Sequence, residues 1–194
     1  MKIRQYAEGL NHLYQTCLDQ FKSKLPADIE HFVHDKNPFP ELNKYDDLQI
    51  RSNGMRFKFL SEPGEIIWAD ADTLIGGKGF PDLSEWPKDK PYLSSPDGIH
   101  VNADVMISFN HSEWFKKIYD EHEATEHKTS TTYAMVLERH KGEYYFIPAG
   151  HFLAVNLNST RNKNAVSIGS DNFAVVKDKN GEWKFSFLRG VIKP

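Results

Sequence analysis

Apolar residues recur at steps of three and four from the start of the chain: Ile3, Tyr6, Leu10, Leu13, Tyr14, Cys17 and Phe21. That is the period of one helix face, and it predicts a helix over residues 2–24. Pro26 ends this helix and fits the first turn of another, which carries Ile29, Phe32 and Val33 and stops near Asp35. Residues 37–52, with Pro38, Pro40 and scattered charges, read as a loop. The pattern then changes period. Met55-Arg56-Phe57-Lys58-Phe59-Leu60 alternates as a strand does, Pro63-Gly64 is a turn, and Glu65 to Ala69 is a second strand, so 55–69 is expected as a hairpin.

Residues 76–98 are rich in Gly and Pro, and Phe80, Trp86 and Tyr92 are expected to pin this long loop to the surface. Ile99 to Phe109 reads as a strand. Asn110 and Glu113 have the spacing of a helix N-terminus, and Trp114, Phe115, Ile118 and Tyr119 extend the helix over 111–124. Thr131–Arg139 and Glu143–Ile147 are expected to form a hairpin, with His151–Leu157 continuing the sheet. Phe173–Lys177 and Glu182–Leu188 make the best hairpin in the chain, with Trp183, Phe185 and Phe187 on one face. The fold class that results is α+β: N-terminal helices packed on a mainly antiparallel, twisted sheet, with a β-rich C-terminal third. One domain spans 1–194, with a helical layer at 1–35, strands over 55–109, a helix at 111–124 and antiparallel strands over 131–192.

Composition supports a folded core. Thirteen Phe, eight Tyr and four Trp in 194 residues supply large buried areas without many Leu. A single cysteine, Cys17, excludes an internal disulfide framework and a Cys-based zinc site, and its place in the apolar stripe makes it a small buried hydrophobe. No segment has the apolar length of a membrane span or a signal-peptide core, so a cytoplasmic location is the expectation. The net charge of −3 argues against a general nucleic-acid coat. It is unevenly spread: residues 1–138 hold 15 Lys/Arg against 23 Asp/Glu, and residues 139–194 hold 9 against 4. A solvated basic sheet explains this, and so does a face that meets phosphate or an acidic partner.

Six of the nine histidines lie between 100 and 151. In Asp120-Glu121-His122-Glu123-Ala124-Thr125-Glu126-His127, a helix puts His122 and Glu126 on one face and Glu123 and His127 on another. That spacing suits a divalent metal, although it is not the His-Glu-x-x-His of zinc peptidases. A charged helix end in water gives the same pattern. His100, Asn102, Asp104, Asn110 and His111 loosely follow the order of a His-metal finger nuclease. Asp97 followed by Glu126-His127-Lys128 loosely follows that of restriction-like nucleases, in which carboxylates hold magnesium and a lysine orients a water. Asp70 and Asp72 at a strand end have cation-binding chemistry, but paired Asp is also ordinary turn chemistry. Gly76-Gly77-Lys78-Gly79 runs into Phe80-Pro81 rather than a helix, so it is not a phosphate loop.

Two functions from different classes follow. The first is a non-catalytic domain of accessory or defence type that binds a small molecule or a protein and needs no cofactor. It rests on the aromatic sheet and the lack of a complete catalytic set. The alternative is a metal-dependent hydrolase, a nuclease, with nucleic acid as its partner. Its catalytic residues would be His111, His127 and Lys128, with Asp97, Asp104, His122 and Glu126 holding Mg or Zn.

Overall fold

The computed structural model describes residues 1–9, 12–95, 98–154, 165–168, 173–177 and 183–187. The elements are β1 (Lys2–Tyr6), α1 (His12–Ser23), β2 (Glu30–His34), α2 (Leu48–Leu60), β3 (Glu65–Ala69), β4 (Thr73–Ile75), β5 (Tyr92–Leu93) and β6 (Val105–Phe109). They continue as α3 (Ser112–Ala124), α4 (Thr132–Arg139), β7 (Tyr145–Phe146), β8 (Phe152–Ala154), β9 (Ala165–Ile168), β10 (Phe173–Lys177) and β11 (Trp183–Phe187).

The main sheet has six strands in the order β2-β1-β3-β6-β5-β7. β1 runs parallel to β2 and β3, and β5 is parallel to β7; only the pairs that β6 makes, with β3 and β5, are antiparallel. The architecture is therefore mixed α/β with a mostly parallel sheet, not the mainly antiparallel one expected. β4 pairs with β8, and β9 to β11 form an antiparallel sheet. The C-terminal hairpin is found, in the register Phe173↔Phe187 to Lys177↔Trp183. How its aromatic side chains are buried lies outside the described residues.

Both faces of the main sheet are covered, which corrects the single helical layer expected. Ile66, Trp68 and Met106 face α2, α3 and α4 through Phe57, Phe115, Ile118, Val136 and Leu137. Their neighbours along the strands, Ile67, Ala69, Val105 and Ile107, face the other way onto Phe21, Ile75 and Leu83. Burial on two sides explains why β3 and β6 are apolar except at Glu65 and Ser108. Phe80, Leu83, Trp86 and Tyr92 of the expected loop belong to this second core: Trp86 packs on Tyr92 of β5 at 4.8 Å while Phe80 meets Phe152 at 5.9 Å. Cys17 is fully buried, as expected, and burial pushes its thiol up to about 12.

Four further elements depart from the sequence reading. The expected helix over 2–24 is a strand, a turn and a helix, because Gly9 takes a left-handed φ of +70° and breaks the path. The second helix, at 26–35, is the edge strand β2. Residues 131–139 are the helix α4, not a strand. The strand expected at 55–60, with the end of the preceding loop, is α2, capped by Asp47, whose carboxylate accepts from the Gln49 and Ile50 backbone N–H groups at 2.7 and 3.2 Å. Its alternation misleads because Arg56 is buried along with Met55, Phe57, Phe59 and Leu60. The helix at 112–124 is found, with His111 rather than Asn110 at its N-cap.

Gly54 lets α2 approach the preceding segment: a Cβ there would sit 2.7 Å from Cδ2 of the buried Leu42. Gly54→Val should lower unfolding stability by about 2 kcal/mol in urea titrations, an overpacking cost. Adding Leu42→Ala should recover part of that loss; a neutral Gly54→Val would show that α2 has room to shift.

Candidate functional site

β1 lies between β2 and β3, so the chain leaves it to one side for β2 and returns on the other for β3. Such a switch of direction opens a crevice at the carboxyl ends of the two strands, the usual binding place in open α/β sheets. A cavity of about 660 Å³ occupies this position. Tyr6, Ala7, Glu8 and Gly9 line it from the end of β1, Asp70, Ala71 and Asp72 from the end of β3, and Asn102 and Asp104 from the entry to β6. Because β6 is antiparallel, its start lies beside the end of β3, and the Asp70 N–H donates to the Asp104 carbonyl at 2.7 Å.

Within Asp70-Ala71-Asp72, Ala71 packs with Ala7 and Leu18, and all three residues border the cleft. Arg56 anchors the first of them. It is 4 % exposed, its Nη2 donates to both Asp70 carboxylate oxygens at 3.0 and 3.2 Å, and its Nη1 donates to the Ala103 carbonyl at 3.0 Å. The guanidinium also sits over the Tyr133 ring, 4.9 Å from its centre. Trp68 Nε1–H donates to Asp70 at 2.7 Å, and the buried Gln5 holds the Asp70 carbonyl at 3.0 Å while its own oxygen meets His31 Nε2 at 2.6 Å.

Asp72 and Asp104 have no such cation among the described residues. Burial, then the charges of Asp70 and Asp104, push the Asp72 carboxyl up to about 8. Burial, then Asp70, push Asp104 up to about 7, partly opposed by Arg56, and Asn102 donates a hydrogen bond to its carboxylate. Among the described residues, Arg56 is the only Lys or Arg lining the cleft, so its acidic groups outnumber its cations. Carboxylate oxygens suit a hard divalent cation by donor chemistry. Among the described residues, though, no three of His, Cys, Asp and Glu are grouped so as to hold a metal by themselves.

Of the site residues expected from the sequence, only Asp104 lines this cleft; Asp97 lies outside the described residues. His111 stands at the start of α3 and His122 is fully buried in it, its ring 5.7 Å from that of Phe57. Glu126 and His127 are exposed beyond the end of α3. Lys128 Nζ closes that helix end, donating to the Glu123 and Thr125 carbonyls at 2.8 Å each. Asp70 and Asp72 were visible as a pair, but what sets them apart from turn chemistry is the parallel pairing of β1 and β3, which the sequence pattern concealed. Arg56 was missed because its strand-like setting placed it on an outward face.

No protein-family model matches the chain, and no curated protein matches it in sequence. Solved structures do match in shape. One is a glycosyltransferase involved in the glycosylation of the major capsid of PBCV-1, 15% identical over 75% of this chain and 80% of that one, with a TM-score of 0.50. Another is the glycosyltransferase GlyE of Streptococcus pneumoniae TIGR4, 11% identical over 75% of this chain, with a TM-score of 0.50. Only 44% of GlyE is covered, so the match spans under half of its length. At these identities the likeness is one of fold, the mixed α/β GT-A-type fold of glycosyltransferases. It overturns both sequence-based functions, the non-catalytic binding domain and the hydrolase. Among the described residues no helix is long and apolar enough to cross a membrane.

Proposed function

We propose that this chain transfers a glycosyl group from a nucleoside-diphosphate-activated sugar to an acceptor hydroxyl, with the cleft between β1, β3 and α2 as the donor site. One observation carries the reading: in a fold shared with glycosyltransferases, the Asp72 and Asp104 carboxylates gather at the switch point of the sheet without a cation of their own among the described residues. In the reaction, the bond from the anomeric carbon to the diphosphate oxygen breaks and its electron pair leaves with the diphosphate. The acceptor oxygen forms the new bond and gives up its proton to solvent or a base.

The chain's own contribution is binding and orientation. Tyr14, Leu48 and Tyr133 offer apolar surface on which a base or a sugar ring packs. Arg56, tied to Asp70, fixes the turn that presents Asp72. A divalent cation fits the donor set: Asp72 and Asp104 would hold it, and it would neutralise charge on the diphosphate leaving group.

The test is release of nucleoside diphosphate from a panel of sugar nucleotides, with manganese or magnesium present. The parent protein should turn over at least one donor. Asp72→Asn and Asp104→Asn should each reduce that rate by about 100-fold or more, in line with loss of a site electrostatic contact. Failure of every donor, or full activity in both variants, would contradict the reading.

A second outcome follows from the raised carboxyls. The folded protein holds more protons than the unfolded chain from about pH 4, the unfolded Asp value, up to the folded value of about 8 for Asp72. Their contribution to stability therefore falls as pH rises through that window. Without added metal, Asp72→Asn should melt higher than the parent at pH 8 and about level with it at pH 4, below which the carboxyl is protonated in both states. Equal behaviour at both pH values would show that Asp72 is not under this repulsion.

A further inference from the structure

The cleft has two facing walls from different elements. One is the end of β1 and the loop behind it, Tyr6 to Gly9; the other is the start of α2, through Leu48, Gln49, Ser52 and Asn53. Arg51 stands in the same turns of α2 but reaches to the opposite wall. Its Nη1 donates to both Glu8 carboxylate oxygens, at 3.3 and 3.2 Å. Its Nε and Nη2 donate to the Tyr45 carbonyl, at 3.2 and 2.8 Å. The Tyr6 hydroxyl donates to Glu8 as well, and burial, then Glu8, push it up to about 12, so it stays a donor.

We infer that Glu8 and Arg51 form a latch that holds residues 6–9 against α2 and so sets the width of the cleft; the ligand of that cleft is the nucleoside diphosphate of the proposed reaction, on which this inference rests. Both are positioning residues. Three observations support a latch over a pair that merely adds stability. The side chains are 15% and 35% exposed, an intermediate setting in which solvent partly screens the pair and reduces what it adds to stability. Arg51 spends its fork on two targets, the carboxylate and the Tyr45 carbonyl, which fixes the distance between the walls rather than only joining two charges. The cleft already holds Asp70, Asp72 and Asp104, so releasing Glu8 adds an uncompensated negative charge beside an anionic ligand.

The test uses the full chain with Arg51→Met, Arg51→Lys and the double variant Arg51→Met/Glu8→Gln. Amide exchange of residues 6–9 is measured, together with the affinity for a panel of nucleoside diphosphates in manganese buffer. Arg51→Met should speed exchange in the loop roughly tenfold while α3 and β6 stay as protected as in the parent. It should weaken nucleotide binding by about tenfold, with Arg51→Lys between it and the parent. The double variant should regain part of the affinity, since the freed charge is gone, but not the loop protection. Unchanged loop exchange in Arg51→Met overturns the latch. Faster exchange with unchanged affinity overturns its role in the cleft. If no nucleotide binds the parent protein, the donor-site reading fails, and the exchange measurement alone decides whether the latch exists.

Discussion

A guanidinium buried to the extent of Arg56 needs a partner, and the one it has is the Asp70 carboxylate at the end of β3. Leaving either charge alone in that place would cost several kcal/mol, about 3–5 for a broken buried pair. The pair joins α2 to the sheet, reaches the segment before β6 through the Ala103 carbonyl, and carries Tyr133 of α4 on its face. Four separate parts of the chain thus meet at one ion pair. The turn that presents Asp72 is built on it, and so is the floor of the cleft.

This arrangement divides the acidic residues of the cleft by role. Asp70 is committed to Arg56 and Trp68 and acts as structure. Asp72 and Asp104 share its neighbourhood without a cation of their own among the described residues, and the resulting repulsion is what a folded protein normally avoids. In the proposed reaction, a divalent cation arriving with the diphosphate would relieve that repulsion.

Some of this was legible in the sequence. The amphipathic stripe of α3, the run of β3 and the C-terminal hairpin follow directly from periodicity, since each buries one pattern against one environment. α2 was misread because a helix buried on most sides loses its stripe, and because Arg56 looks like a solvent position until Asp70 is placed beside it. β1 was hidden for a related reason: Gln5 is polar yet fully buried, its amide spent on Asp70 and His31, so the strand lacks a clean alternation. With β1 and β2 read as helices, the parallel core vanished, and with it the switch point that gives Asp70 and Asp72 their meaning. Asp104 was chosen for the company of nearby histidines, and its actual neighbours in the cleft are the other two aspartates.

The claim that the cleft at the ends of β1 and β3 takes an activated sugar is tested most directly by a hydrogen-exchange footprint of the protein with a saturating sugar nucleotide and manganese. The account predicts protection concentrated in residues 6–9, 48–56, 70–72, 102–104 and 130–133, the segments that line the cavity. Protection confined to α3 and residues 126–128, or none with any sugar nucleotide, would contradict it.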